Sequence, residues 1–244
     1  MKKLFLPMML LISASTMVYA KCDHNAKKLV KAYSQIKKCR NNKIIWQDGT
    51  SMIYDDGKKE TFEKVLKQAD IEDSFHHSYT KGKYSHPPKN YDPGRYRNDK
   101  FFRKMYGNSA SEVKKKLTTI SWFGQKIQVT TVNDVHKKLK KVEGDLKRLV
   151  VKKPKLKKFL TPTSGTFKWR VIAGTKRLSV HSFGAAIDIN VKYSAYWRWS
   201  KGEYKYRNQI PIEIVKIFEK HGFIWGGKWY HYDTMHFEYR PELL

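Results

Sequence analysis

Acidic residues are scarce in this 244-residue chain: 22 Asp and Glu stand against 50 Lys and Arg, a formal charge of +28. Cysteine is nearly absent. The two present, Cys22 and Cys39, show no C-x-x-C spacing, so neither reads as a metal ligand. Beyond the first twenty residues there is no long apolar run, which excludes an integral membrane protein. There is no internal repeat, no low-complexity tract, no phosphate-cradling glycine loop and no Ser-His-Asp order. Aromatics, by contrast, are plentiful. The 7 Trp, 15 Tyr and 12 Phe make up 14% of the chain, enough for a core, and they exclude disorder throughout despite the charge.

The N-terminus reads as a targeting segment. Lys2 and Lys3 form a basic region, Leu4 to Val18 is apolar, and Val18-Tyr19-Ala20 suits cleavage before Lys21. An uncleaved anchor helix is the alternative, and the short apolar stretch argues against it. Lys21 before Cys22 removes the small residue that a lipoprotein signal requires. Cleavage takes away two lysines and no acid, lowering +28 to +26. Export to a periplasmic or secreted location favours a Cys22–Cys39 disulfide over two free thiols. Outside the cytoplasm nucleic acid is scarce, so the basic charge points to anionic envelope surfaces, with no nucleic-acid partner and no transmembrane segment after cleavage.

Residues 21–115 read as an accessory, mainly helical N-terminal region, and 116–244 as the catalytic domain, with core motifs in 164–240. A helix is expected over about Asn25 to Lys38. A hairpin follows around Asp48-Gly49, then a short helix from Thr61 to Ala69. Residues 76–99 carry little periodicity. Ser109 and Glu112 form a capping box for a helix reaching Leu117. A second hairpin is centred on Gly124. Val135, Leu139, Val142, Leu146 and Leu149 form one apolar stripe on a Lys-rich helix. From Thr163 strands are expected to dominate, with one more helix over about Pro211 to His221.

Two segments carry the chemistry. In Ala185–Val191, period-2 alternation puts Ile187, Ile189 and Val191 on one face and Asp188 with Asn190 on the other. In Met235–Tyr239 the same alternation puts His236 and Glu238 opposite three apolar residues. His181 sits just before the first strand, and Gly184 allows a sharp turn between them. In one sheet these residues converge, and two His with one carboxylate make a three-ligand zinc site with an open fourth position.

The segment Ser179-Val180-His181-Ser182-Phe183-Gly184-Ala185-Ala186-Ile187-Asp188 resembles the S-x-H-x-x-G-x-A-x-D signature of the D-alanyl-D-alanine carboxypeptidase and L-alanyl-D-glutamate endopeptidase family. Trp225-Gly226-Gly227-Lys228-Trp229, followed by Asp233-Thr234-Met235-His236-Phe237-Glu238, is similar to the family's second block in its Asp-base version. The resemblance implies an α+β, hedgehog-like fold, a small antiparallel sheet with flanking helices. It also implies Zn2+ held by His181, Asp188 and His236, with Asp233 as the general base. Arg170 is similar to the arginine preceding the first block. It would hold a substrate carbonyl, a carboxylate or the oxyanion, unless it serves a plain salt bridge. Ser179 would brace the site or simply make a turn. Glu238 is a candidate outer partner of a ligating imidazole, and Trp225 lines the cleft or belongs to the core, as do Trp229 and Tyr230. His231 has no motif position.

The expected activity is that of an exported zinc metallopeptidase acting on peptidoglycan stem peptides, L-alanyl-D-glutamate endopeptidase-like, with D-alanyl-D-alanine carboxypeptidase as the alternative. A rival is a non-enzymatic cell-wall-binding protein with a structural zinc. Asp233 separates the two, since a binder has no use for a base.

Overall fold

A computed structural model describes residues 22–82, 86–200 and 202–244. The targeting segment read in residues 1–20 lies outside the described residues. The architecture is α+β, built from small antiparallel sheets and helices.

Asp23 opens helix α1 (His24–Ala32), its carboxylate accepting from the Ala26 N–H at 2.8 Å. The helix stops short of the expected Lys38. Ile36–Arg40 is instead strand β1, paired with β2 (Lys43–Trp46), which pairs in turn with β3 (Ser51–Ile53). The reason is local: Asn41 and Asn42 stand at φ 48° and 57°, a two-residue turn that closes a hairpin between Arg40 and Lys43. Cys22 and Cys39 are bridged, with Cα atoms 5.8 Å apart, so the entry to α1 is tied to β1.

Helices α2 (Phe62–Gln68), α3 (Asp99–Tyr106) and α4 (Ala110–Lys114) follow, the stretch between α2 and α3 being largely irregular as expected. Ser109 caps α4 by accepting from the Glu112 N–H at 3.2 Å, while Glu112 accepts from the Asn108 N–H at 2.9 Å. Strands β4 (Leu117–Trp122) and β5 (Gln125–Thr130) form the second hairpin, and α5 (Val135–Lys152) lies against it. The α5 stripe is buried from Val135 to Leu146, leaving the lysines outside. A short α6 (Lys157–Leu160) leads into the C-terminal third.

There the chain departs from the strand-rich expectation. Among the described residues only β6 (Ala186–Asp188), β7 (Phe223–Trp225) and β8 (His236–Tyr239) form there, ordered β6-β8-β7, with α7 (Ile212–Lys220) between β6 and β7 in sequence. Asn190 explains why β6 is short. Its side-chain amide donates to the Lys158 and Thr161 carbonyls and its oxygen accepts from the Lys192 N–H, so the chain turns away from the sheet. One core joins the two ends of the molecule: Ala26, Leu29 and Phe101 pack in the same cluster as Ile187, Phe218 and Phe237. Among the described residues no helix is long and apolar enough to cross a membrane.

Candidate active site

The register of β6 and β8 sets Asp188 directly opposite His236. His181 reaches the same point from the 3₁₀ turn Val180–Phe183. Ser179 caps that turn, accepting from the His181 N–H at 3.3 Å. Ser182, which the sequence reading passed over, clamps the turn to residue 170. Its hydroxyl accepts from the Arg170 N–H at 2.9 Å and donates to the Arg170 carbonyl at 2.8 Å. The turn exits through Gly184 at φ +65°, where a Cβ would meet the Leu117 side chain at 2.6 Å. A side chain there would push the His181 turn off the β4–β5 hairpin.

Three potential ligand atoms converge. His181 Nε2 and His236 Nδ1 each lie 3.0 Å from Asp188 Oδ1 and 3.2 Å from one another. A tetrahedral zinc with bonds of about 2.0–2.1 Å sets its ligand atoms about 3.3 Å apart, so the triangle needs only slight expansion. The tautomers agree with this use. His181 Nδ1–H donates to the Thr166 carbonyl at 2.7 Å, and His236 Nε2–H donates to Glu238 Oε2 at 3.0 Å. Each imidazole therefore turns its other ring nitrogen toward Asp188, the nitrogen that would give its lone pair to a bound zinc, and is held there by an outer partner.

The local field also suits a cation. Burial opposes a charged His236, yet its hydrogen bonds to Asp188 and Glu238 prevail and push it up to about 10. Burial would raise Asp188, but the two histidines hold it far below the ordinary carboxylate range. Glu238 is also buried, and His236 with Arg240 still lowers it to about 2. Positive charge is drawn to the point where the three atoms meet.

Asp233 stands beside them on the turn that enters β8. The His236 N–H donates to the Asp233 carbonyl at 3.2 Å, and Trp225 Nε1 donates to the Thr234 carbonyl at 2.9 Å. This turn supplies the reversal that a three-residue spacing needs, and Asp233 and His236 line one cavity of about 390 Å³. Burial and the negative charge of Asp188 push Asp233 up to about 7. Among the described residues its Oδ1 has no hydrogen-bond partner. Arg170 lines the same cavity, exposed and without an ion pair among the described residues. Trp225 does not line it. That indole is buried, packed near Phe237, and it braces the Asp233–Thr234 turn from behind, so the cleft-lining alternative for Trp225 is corrected. Trp229 does reach the cavity, its ring 5.6 Å from that of His236.

Several cavity residues had no sequence signal. Gly94, Arg95 and Arg97 come from the irregular stretch before α3, and Arg177 from the chain just ahead of the His181 turn. His231 faces the cavity but is held by Asp92, with Nδ1 2.6 Å from Oδ2. The Trp229 Nε1–H donates to the Pro93 carbonyl at 2.7 Å. The segment 92–97 is thereby fastened to residues 229–231 across 136 to 139 positions of chain.

No curated protein and no solved structure matches the chain. The two blocks read from the sequence nonetheless belong to a recognised pattern: residues 173–239, which contain His181, Asp188, Asp233 and His236 and begin just after Arg170, match the family described as D-alanyl-D-alanine carboxypeptidase.

Proposed function

We propose that this protein is an exported zinc peptidase that hydrolyses peptidoglycan stem peptides at the L-alanyl-D-glutamate bond. The observation that carries the reading is the pairing of a three-atom ligand triangle with a carboxylate, Asp233, that has no hydrogen-bond partner at Oδ1 among the described residues. Zinc bound by His181, Asp188 and His236 would supply Lewis acidity to the scissile carbonyl. Asp233 takes a proton from the attacking water and passes it to the leaving amine. Arg170 offers a guanidinium to the developing oxyanion or to a substrate carboxylate. Glu238 and Thr166 keep the two imidazoles in their working tautomers.

The description of the matched family favours a second reading, removal of the terminal D-alanine. Mass analysis of peptides released from purified wall separates the two bonds. Metal content of the mature protein, with hydrolysis measured before and after a chelator, tests the reading as a whole. Wall peptides left intact by zinc-loaded protein would favour the non-enzymatic binder. The disulfide supports an oxidising compartment, and a mature charge of +26 supports salt-sensitive adsorption to the anionic wall.

A further inference from the structure

The wall of the cavity holds two buried arginines in an unusual state. Arg97 is 3% exposed and Arg177 is 6% exposed, and both line the cavity. Among the described residues, Arg97 Nη1 and Arg177 Nε have no hydrogen-bond acceptor. Arg97 Nη2 donates to the Leu178 carbonyl, and Arg177 Nη1 to those of Arg95 at 3.0 Å and Arg97 at 3.5 Å.

The nearby acids are already engaged. Asp99 is 2.6 Å from Arg103, against 3.9 Å from Arg97. Glu238 bonds His236 and Arg240, and Arg240 also holds Glu242. Asp92 takes Arg95 and His231. Among the described residues no carboxylate contact shorter than the 3.9 Å between Arg97 and Asp99 remains for Arg97 or Arg177. Burial and the charges of Arg97 and Arg95 lower Arg177 to about 9. Buried charges are ordinarily paired, because an unpaired one forfeits its hydration without return. Two adjacent arginines left this way, both lining the cavity and each carrying a buried donor without an acceptor among the described residues, form half of an ion pair.

We propose that Arg97 and Arg177 form a carboxylate-binding subsite of the cavity, separate from Arg170, which anchors the substrate by an anionic group set apart from the scissile bond. This rests on the reading of the cavity as a peptidase cleft, and it narrows the substrate to peptides that present a free carboxylate. A guanidinium is suited to the task because its fork meets both oxygens of a carboxylate. One of the two arginines lies in the segment 92–97, so the N-terminal region takes part in substrate selection. The carboxylate could be a chain terminus or a side-chain group.

The test runs without turnover. The thermal midpoint of the zinc-loaded mature protein is followed at fixed ionic strength with N-acetyl-D-alanine, with N-acetyl-D-glutamic acid α-amide and with N-acetyl-D-alaninamide. A ligand that binds only the folded state raises the midpoint. The first probe carries a terminal carboxylate, the second a side-chain one, and the third none. At least one carboxylate should stabilise the wild type while the amide does not. Arg177→Gln should weaken that carboxylate by about 10- to 100-fold, the usual worth of a hydrogen bond to a charged group. Lys140→Gln, which removes an exposed charge from α5, should retain the response, and Arg170→Gln is measured alongside. Arg177→Lys keeps the charge without the fork and should fall between; it also serves if the glutamine variant does not fold. Equal response to carboxylate and amide, no response at all, or a response lost only in Arg170→Gln overturns the subsite. Hydrolysis of wall peptides is scored separately. Turnover without carboxylate preference removes this inference alone, and carboxylate binding without turnover removes only the peptidase reading.

Discussion

Replacing Asp233 with asparagine separates catalysis from metal binding, and its size follows from the site. The substitution keeps the shape of the side chain and leaves His181, Asp188 and His236 in place, but the amide cannot take a proton. A positioned general base contributes about 10² to 10⁴ in rate, or roughly 3–5 kcal/mol of barrier. Turnover on wall peptides should fall by that factor while metal content after dialysis, read by elemental mass spectrometry, stays at the wild-type level. Stability of the metal-free protein should move the other way. Asp233 has its pKa raised to about 7 by burial and by Asp188. A carboxyl whose folded pKa is raised stabilises below its unfolded value, near 3.8, and loses that contribution as pH climbs to about 7. The full shift would amount to about 4 kcal/mol, and partial access of solvent to the side chain reduces this to about 1–2 kcal/mol. Asp233→Asn should therefore melt higher than wild type at pH 8 and alike at pH 4. Loss of metal as complete as in His236→Ala would make Asp233 a ligand, and retained turnover would move the base elsewhere.

Glu238→Gln weakens the partner that orients His236, and metal affinity should fall by about 10- to 100-fold in a competition titration with a chromogenic chelator. Removing the bridge by Cys22→Ser with Cys39→Ser should cost up to about 3 kcal/mol in denaturant unfolding, given the 17-residue separation. Glu72, raised to about 7 by burial and by the neighbouring Asp70, Asp55 and Asp73, destabilises the fold increasingly as pH rises from about 4.5 to 7. Glu72→Gln should therefore gain about 1 kcal/mol at pH 8 and nothing at pH 4, seen as paired melting curves; an equal gain at both pH values would contradict the electrostatic cause.

Features written in neighbouring residues were open to sequence reasoning. The stripe from Val135 to Leu149 gives α5, Ser109 with Glu112 caps α4, and Gly124 closes the β4–β5 hairpin, because each depends on a repeat or a contact within one or two turns of chain. Asp188 and His236 were also legible, since alternation put both on the face opposite the core, and the family resemblance implied that His181 joins them; that the two strands pair was left to the tertiary structure. The Asn41-Asn42 turn was a local signal too, and passing over it extended the first helix into what is β1. Trp225 was ambiguous because a tryptophan's sequence neighbours do not say whether its ring faces solvent or core. Only tertiary structure could place Arg97 and Arg177 side by side, fasten Asp92 to His231, and set Tyr33 against Glu242 across 209 residues. Such contacts have no period along the chain. They arise when separate segments bury apolar area in one core, and the polar groups carried in with them must then find partners, or, as with Arg97 Nη1 and Arg177 Nε among the described residues, remain without a hydrogen bond.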